Sequence, residues 1–289
     1  MTIKGFIKKI LNSFLLLIVI VVLTIIMKVF LFASFKIPSE SMAPAIEPGD
    51  HILVSKLSMG PRLYENLDFL KGEKTKMKRI LGFNKVKRND VLVFDFPYIN
   101  SDKIRQGGNV FYVKRCVAIP GDTFYIENGF YKVKGVIDNL GHIERQWELS
   151  EKDEASFVND LRYTFPKDTT LFRWTIKNFG PLYVPAKGDN IKIDRLSVLL
   201  YKNLIEYETG KAIFTKNGIV YLGDSIIQTY TFLQDYYFMA GEYIFDSIDS
   251  RYWGLLPDDL VIGKASIIWK SEDIYTKKYR WNRFLKKIK

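Results

Sequence analysis

With one cysteine and two histidines in 289 residues, the chain lacks the usual means of stapling a fold, holding zinc or running a histidine-based triad. Cys116 has no partner for an internal disulfide. A zinc site needs three or four nitrogen, sulfur or oxygen ligands at suitable spacing, and neither His51 nor His142 has such neighbours in sequence. His51 opens a strand-like run and His142 lies in a polar stretch, so both read as ordinary strand-end or surface residues. Acidic residues are also missing where they would be informative. Residues 1–36 carry five lysines and no acid, a charge of +5. Residues 269–289 carry eight Lys/Arg against Glu272 and Asp273, a charge of +6. These two ends account for the whole surplus of +11 and leave the middle charge-balanced. A nucleic-acid binder concentrates basic residues on its folded domain. Here the excess sits where anionic lipid headgroups would meet it.

From Phe14 to Phe35 the chain is Leu, Ile, Val, Phe and Met, broken only by Thr24, Lys28, Ala33 and Ser34. As one helix this run spans about 33 Å, enough for a hydrocarbon core of about 30 Å. Lys28 lies in its last third, where a long side chain can snorkel. A cleavable export signal is the competing reading, with a basic start at Lys4, Lys8 and Lys9 and a small-x-small triplet at Ala43-Pro44-Ala45. Its apolar core would exceed the roughly 7–15 residues of such signals, and proline would occupy the middle of the triplet. Length therefore favours an uncleaved anchor over residues 1–36, and the early lysines favour a cytoplasmic N-terminus. At the other end Trp281, Phe284, Leu285 and Ile288 fall at i, i+3, i+4 and i+7, the spacing of a basic amphipathic helix over the 271–289 tail. A helix packed on its own domain or a frayed end satisfies the same pattern.

Between the ends, turn signals launch short β segments. Gly49-Asp50, Asn89-Asp90, Gly121-Asp122 and Gly188-Asp189 each precede an apolar run, and Asn128-Gly129 reads as a tight hairpin. Ser150 to Leu161 begins with Ser-x-x-Asp and suggests a capped helix. Asp194 to Tyr207 also reads as helix, and Leu260 to Trp269 as a strand. The expected fold is mostly β, with a helical insertion.

Ser41 stands a few residues past the apolar run, where it can meet a polypeptide leaving a bilayer. Serine is a weak nucleophile until a base takes its proton, and with histidine scarce the natural candidate is a buried neutral lysine. Lys114 lies in the apolar strand Val110 to Ile119, where alternation groups it with Tyr112, Cys116 and Ala118 and sends Arg115 to the other face. From this strand alone, an edge lysine reaching solvent or a carboxylate is the better fit.

Taken together, four segments are similar to the motif blocks of bacterial type I signal peptidases. They are Ile37-Pro38-Ser39-Glu40-Ser41-Met42-Ala43-Pro44; Pro48-Gly49-Asp50-His51-Ile52-Leu53-Val54; Tyr112 through Lys114 to Asp122; and Asp249-Ser250-Arg251-Tyr252-Trp253-Gly254 followed by Val261-Ile262-Gly263-Lys264-Ala265. The resemblance implies a single N-terminal transmembrane helix followed by a β-barrel or coiled-sheet catalytic domain with a variable α/β insertion. The divisions are an anchor at 1–36, a catalytic core at 37–134 and 230–270, an insertion at 135–229 and a tail at 271–289. It implies a Ser/Lys endopeptidase that cleaves signal peptides from exported preproteins at the outer face of the bacterial cytoplasmic membrane. Ser41 would be the nucleophile, Lys114 the base, and Ser39 a donor to the oxyanion. Ser247 would orient the lysine, supported by Asp249 and Arg251. Ile37, Met42 and Val113 would line shallow substrate pockets. Signal peptides and membrane lipids are the expected partners of a monomer, with no cofactor, metal or nucleic acid. One block departs: the family's usual Gly-Asp-Asn-Arg is here Gly241-Glu242-Tyr243-Ile244, which keeps an acid able to pair with Arg115 and loses the Asn-Arg couple. A catalytically degenerate tethered scaffold is the main alternative. A self-cleaving Ser/Lys repressor would need a DNA-binding segment, which the sequence lacks.

Overall fold

The computed structural model describes residues 3–64, 77–80, 82, 84–98, 101–106, 110–166 and 170–288. Helix α1 (Ile3–Ile26) is about 36 Å long at 1.5 Å per residue and runs into a π-helical turn at Met27–Leu31. The side chains of Lys4 and Lys8 fall outside the described residues. Among the described residues α1 is the one helix long and apolar enough to cross a membrane, with Lys9–Ile26 wholly unburied. It ends nine residues before the apolar run does. Phe32–Lys36 instead forms strand β1, paired from Phe32↔Ser55 to Lys36↔His51 with β2 (Asp50–Ser55). Hydropathy alone does not separate the two states, and the ladder offered by β2 decides between them.

A hairpin of β3 (Arg62–Tyr64) and β4 (Met77–Arg79) precedes β5 (Val91–Asp95) and β6 (Phe111–Ala118). Strands β7 (Thr123–Glu127) and β8 (Phe130–Val133) are joined by Asn128 and Gly129, both at positive φ, as the tight turn requires. Next come α2 (Ile143–Glu151) and α3 (Asn159–Arg162), in place of one helix over Ser150 to Leu161. Ser150 Oγ donates back to the Trp147 carbonyl at 2.8 Å, so it ends a helix instead of starting one. Strands β9 (Phe179–Tyr183) and β10 (Asn190–Lys192) lead to α4 (Arg195–Thr209), whose capping box joins Asp194 and Ser197. The chain closes through β11 (Ile213–Lys216), β12 (Ile219–Leu222), β13 (Ser225–Ile226), β14 (Thr229–Thr231), β15 (Tyr236–Ala240), α5 (Ser250–Trp253), β16 (Leu256–Pro257), β17 (Val261–Ser271) and β18 (Lys286–Lys287).

The fold is mostly β, as expected, and is organised by one eight-stranded coiled sheet in the order β1-β2-β17-β5-β6-β15-β16, with β18 on β17. Register shifts in β17 against β2 and β5 help it bend. Strand β5 is buried throughout because both of its faces are covered. Val91 and Val93 join Ile37, Met42, Ile46 and Ile52 on one side, while Leu92 and Phe94 join the larger aromatic core on the other.

The tail is not an amphipathic helix. It makes a 3-10 turn at Trp281–Arg283 and then the edge strand β18, leaving Trp281 and Leu285 exposed and Ile288 packed on the smaller core. Its arginines explain the docking. Asp50 is fully buried and accepts hydrogen bonds from Arg283 Nη2 (2.6 Å), Ser271 Oγ (2.7 Å) and Arg280 Nη2 (3.3 Å). Burial raises its carboxyl, but the Arg283 hydrogen bond leads the opposing contributions and holds it below the ordinary range. Arg283 also donates to the Ala45 carbonyl (3.1 Å), four residues beyond Ser41. Arg283→Ala strands a buried carboxylate and is expected to cost about 3 kcal/mol, the lower end for a broken buried pair because Arg280 and Ser271 remain. The urea midpoint reads it, and an unchanged midpoint refutes the docking role.

Candidate active site

Ser41 lies in the loop between β1 and β2. Met42 and Ile46 are buried beneath that loop, and the Ile46 N–H closes on the Met42 carbonyl at 2.9 Å. From the other side the Tyr243 N–H donates to the Ser41 carbonyl at 3.1 Å. On β6, Lys114 faces Leu92 of β5 and is 3 % exposed. Its Nζ lies 2.5 Å from Ser41 Oγ, within hydrogen-bonding distance. Burial pulls the amine down to about 8 from 10.5; Asp249 and Asp246 oppose the shift and Arg251 adds to it. A lysine at that value supplies a useful neutral fraction near neutral pH.

The two side chains open into a cleft of about 430 Å³ that Ser39, Ile37, Met42 and Val113 also line. Six of the residues singled out from sequence therefore share one cavity. The remaining three form a fully or nearly fully buried support behind it. Ser247 Oγ donates to Asp249 Oδ2 at 2.8 Å and, among the described residues, makes no hydrogen bond to Lys114. Asp249 Oδ2 also accepts Arg251 Nη2 (2.7 Å) and the Gly241 N–H (2.8 Å), and its Oδ1 accepts Arg251 Nε (2.8 Å). Both members of this pair are 0 % exposed. Burial would raise the Asp249 carboxyl, yet the adjacent guanidinium outweighs it and the net shift is downward. Gly241 permits this arrangement: a Cβ there would lie 2.0 Å from Ser247 Oγ and 2.7 Å from the Ser41 carbonyl.

The departing motif keeps its charge function. Glu242 is buried and accepts from Arg115 Nε (2.8 Å) and Nη2, while its Oε2 receives the Ala45 N–H at 3.3 Å. Sequence reasoning did not single out Phe35, Phe111, Asp246 or Ile248, which also line the cleft. The Phe35 and Phe111 rings meet edge to face at 5.2 Å. Phe35 was hidden in the apolar run, and the signal that would have found it is a period-two pairing with β2. Both histidines lie elsewhere: His51 packs against Trp269 at 5.6 Å, and His142 precedes α2.

The sequence matches a peptidase family model over most of its length. The chain belongs to the signal peptidase family, peptidase S26, which matches residues 10–177 and 184–270. It is 28% identical over 275 residues to signal peptidase I of Buchnera aphidicola subsp. Baizongia pistaciae, covering 91% of this chain and 77% of that protein. It is similar to signal peptidase I of Pseudomonas aeruginosa (27% over 260 residues; 86% and 68%) and of Helicobacter pylori (27% over 287 residues; 93% and 89%).

Proposed function

We propose that this chain is a membrane-anchored serine endopeptidase that removes N-terminal signal peptides from exported preproteins with a Ser41/Lys114 dyad. The observation that carries the reading is the 2.5 Å approach of a buried amine to the Ser41 hydroxyl. In the reactive form the neutral Lys114 accepts the hydroxyl proton as Ser41 Oγ attacks the scissile carbonyl. The resulting ammonium then donates that proton to the leaving amine, and the acyl-serine is hydrolysed by water activated at the same nitrogen. Ser39 and the Ser41 N–H, both at the cleft, are the donors for the oxyanion. Ile37, Met42 and Val113 shape the pockets for small side chains before the cut. Strand β1 is an edge of the main sheet, so an extended substrate can add to it through main-chain hydrogen bonds. Ser247 acts on the lysine through Asp249, which Arg251 holds.

In this reading α1 anchors the chain in the bacterial cytoplasmic membrane with a cytoplasmic N-terminus, and the β domain works outside as a monomer. The exposed basic tail faces lipid. No cofactor, metal or nucleic acid takes part. Residues 37–134 and 230–270 form the catalytic core, and 135–229 the insertion.

The reading is tested by preprotein cleavage in detergent. Ser41→Ala is expected to stop it. For the unaltered chain kcat/KM is expected to rise with pH, with a midpoint near the Lys114 value of about 8, and to level off above it, because the base works only when uncharged. A maximum near pH 5, or cleavage by Ser41→Ala at the parent rate, refutes the dyad.

A further inference from the structure

The segment that departs from the family motif is also the segment that grips the nucleophile's loop. Tyr243 donates its N–H to the Ser41 carbonyl at 3.1 Å, and Glu242 takes the Ala45 N–H at 3.3 Å. Ile244 is buried, while Tyr243 and Phe245 are half-buried with their rings edge to face at 6.3 Å. Residues of the inserted region meet both rings. Arg145 of α2 places its Cζ 5.1 Å from the Tyr243 centroid, and Lys152, just past α2, places Nζ 4.9 Å from that of Phe245. Phe157 stacks on Phe245 at 6.1 Å.

Helix α2 is a fixed platform. Gln146 is fully buried, accepting the Tyr131 N–H (2.8 Å) and donating to the Leu140 carbonyl (2.6 Å). Leu149 is fully buried as well, and Trp147 meets Phe130 edge to face at 5.0 Å. Glu148 holds the Arg145 guanidinium at 2.7 Å. The hairpin under α2 is tied to the main sheet through Phe124 and Phe238, whose rings lie 4.2 Å apart. A continuous packed path therefore runs from the insertion to the Ser41 backbone.

We infer that Tyr243 is a positioning residue, clamped by Arg145 of the insertion so that its backbone holds the Ser41 loop in register with Lys114. Cation–π contacts of this kind bias an equilibrium by roughly three- to thirty-fold, and small misplacements of reacting groups are costly in rate. This deepens the dyad reading and rests on it for the catalytic readout alone. Tyr243→Leu is expected to lower kcat about ten-fold with KM within about two-fold. Arg145→Gln should lower kcat about five-fold, and adding it to Tyr243→Leu should cost little more. Tyr243→Phe, which keeps the ring, should restore kcat to within about two-fold of the parent.

Amide hydrogen exchange over residues 41–46 and 241–247, measured without substrate, provides a readout independent of turnover. Exchange should quicken about ten-fold in Tyr243→Leu and Arg145→Gln and stay unchanged in Tyr243→Phe. Unchanged protection in Tyr243→Leu overturns the clamp. So does Tyr243→Phe failing like Tyr243→Leu, or a loss that falls on KM. Absence of cleavage by the unaltered chain would strike the dyad reading only, and the exchange data would still decide the clamp.

Discussion

Lys114→Met is expected to reduce signal-peptide cleavage by on the order of 10³-fold or more, the scale of losing a general base, while leaving the protein at least as stable. Methionine approximates the aliphatic stem and removes the amine. Holding that amine in an apolar site moves it from 10.5 to about 8, which costs the folded state about 3 kcal/mol at roughly 1.4 kcal/mol per unit. The sign follows from proton binding. Below pH 8 the amine is charged both folded and unfolded, and the full penalty applies. Between about 8 and 10.5 the unfolded chain binds the extra proton, so the parent's stability rises with pH. The variant's advantage in urea should therefore be greatest near neutral pH and shrink toward pH 10. A variant that cleaves like the parent ends the base assignment. One that is equally inactive but several kcal/mol less stable shows that the amine supports the fold instead.

Arg251→Ala should be the most damaging single change to stability, at about 3–5 kcal/mol, with activity lost in parallel. Asp249 is completely buried and orders three things at once: the Arg251 guanidinium, the Ser247 hydroxyl and the Gly241 N–H. Without the guanidinium, burial dominates and the carboxyl rises toward its neutral form. Protonation would weaken its acceptance of hydrogen bonds, and the 241–247 segment that contacts Ser41 would loosen. The urea midpoint and preprotein cleavage measure the two effects. Near-parent values in both would show that the pair is dispensable.

The parts of the site legible in sequence were those with local chemistry. Ser41 and Lys114 were singled out by the resemblance of the motif blocks around them, and their Oγ and Nζ lie 2.5 Å apart. Asp194 predicted a helix start because capping is a short-range property. What sequence concealed was set by partners far along the chain. Phe32–Phe35 continues the apolar run without a turn signal, and pairing with β2 makes it a strand. The tail has helical spacing, yet buried Asp50, more than 220 residues earlier, captures Arg280 and Arg283 and draws it onto the sheet. Glu242 kept its acid, so its pairing with Arg115 was foreseeable. The contacts of Tyr243 and Phe245 with α2 were not, because they cross between the motif and a stretch that matches none.

The passage from α1 through one π turn into β1 leaves no slack joint between the apolar helix and the sheet. Ser41 follows Leu31 by ten residues, and β1 takes up five of them, about 17 Å of extended chain. With α1 upright in a bilayer, this spar works like a depth gauge. On the proposed function it would fix how far from the lipid surface a peptide bond is cut, so selection among preproteins would depend on the distance between their own apolar stretch and the cut as well as on side-chain size.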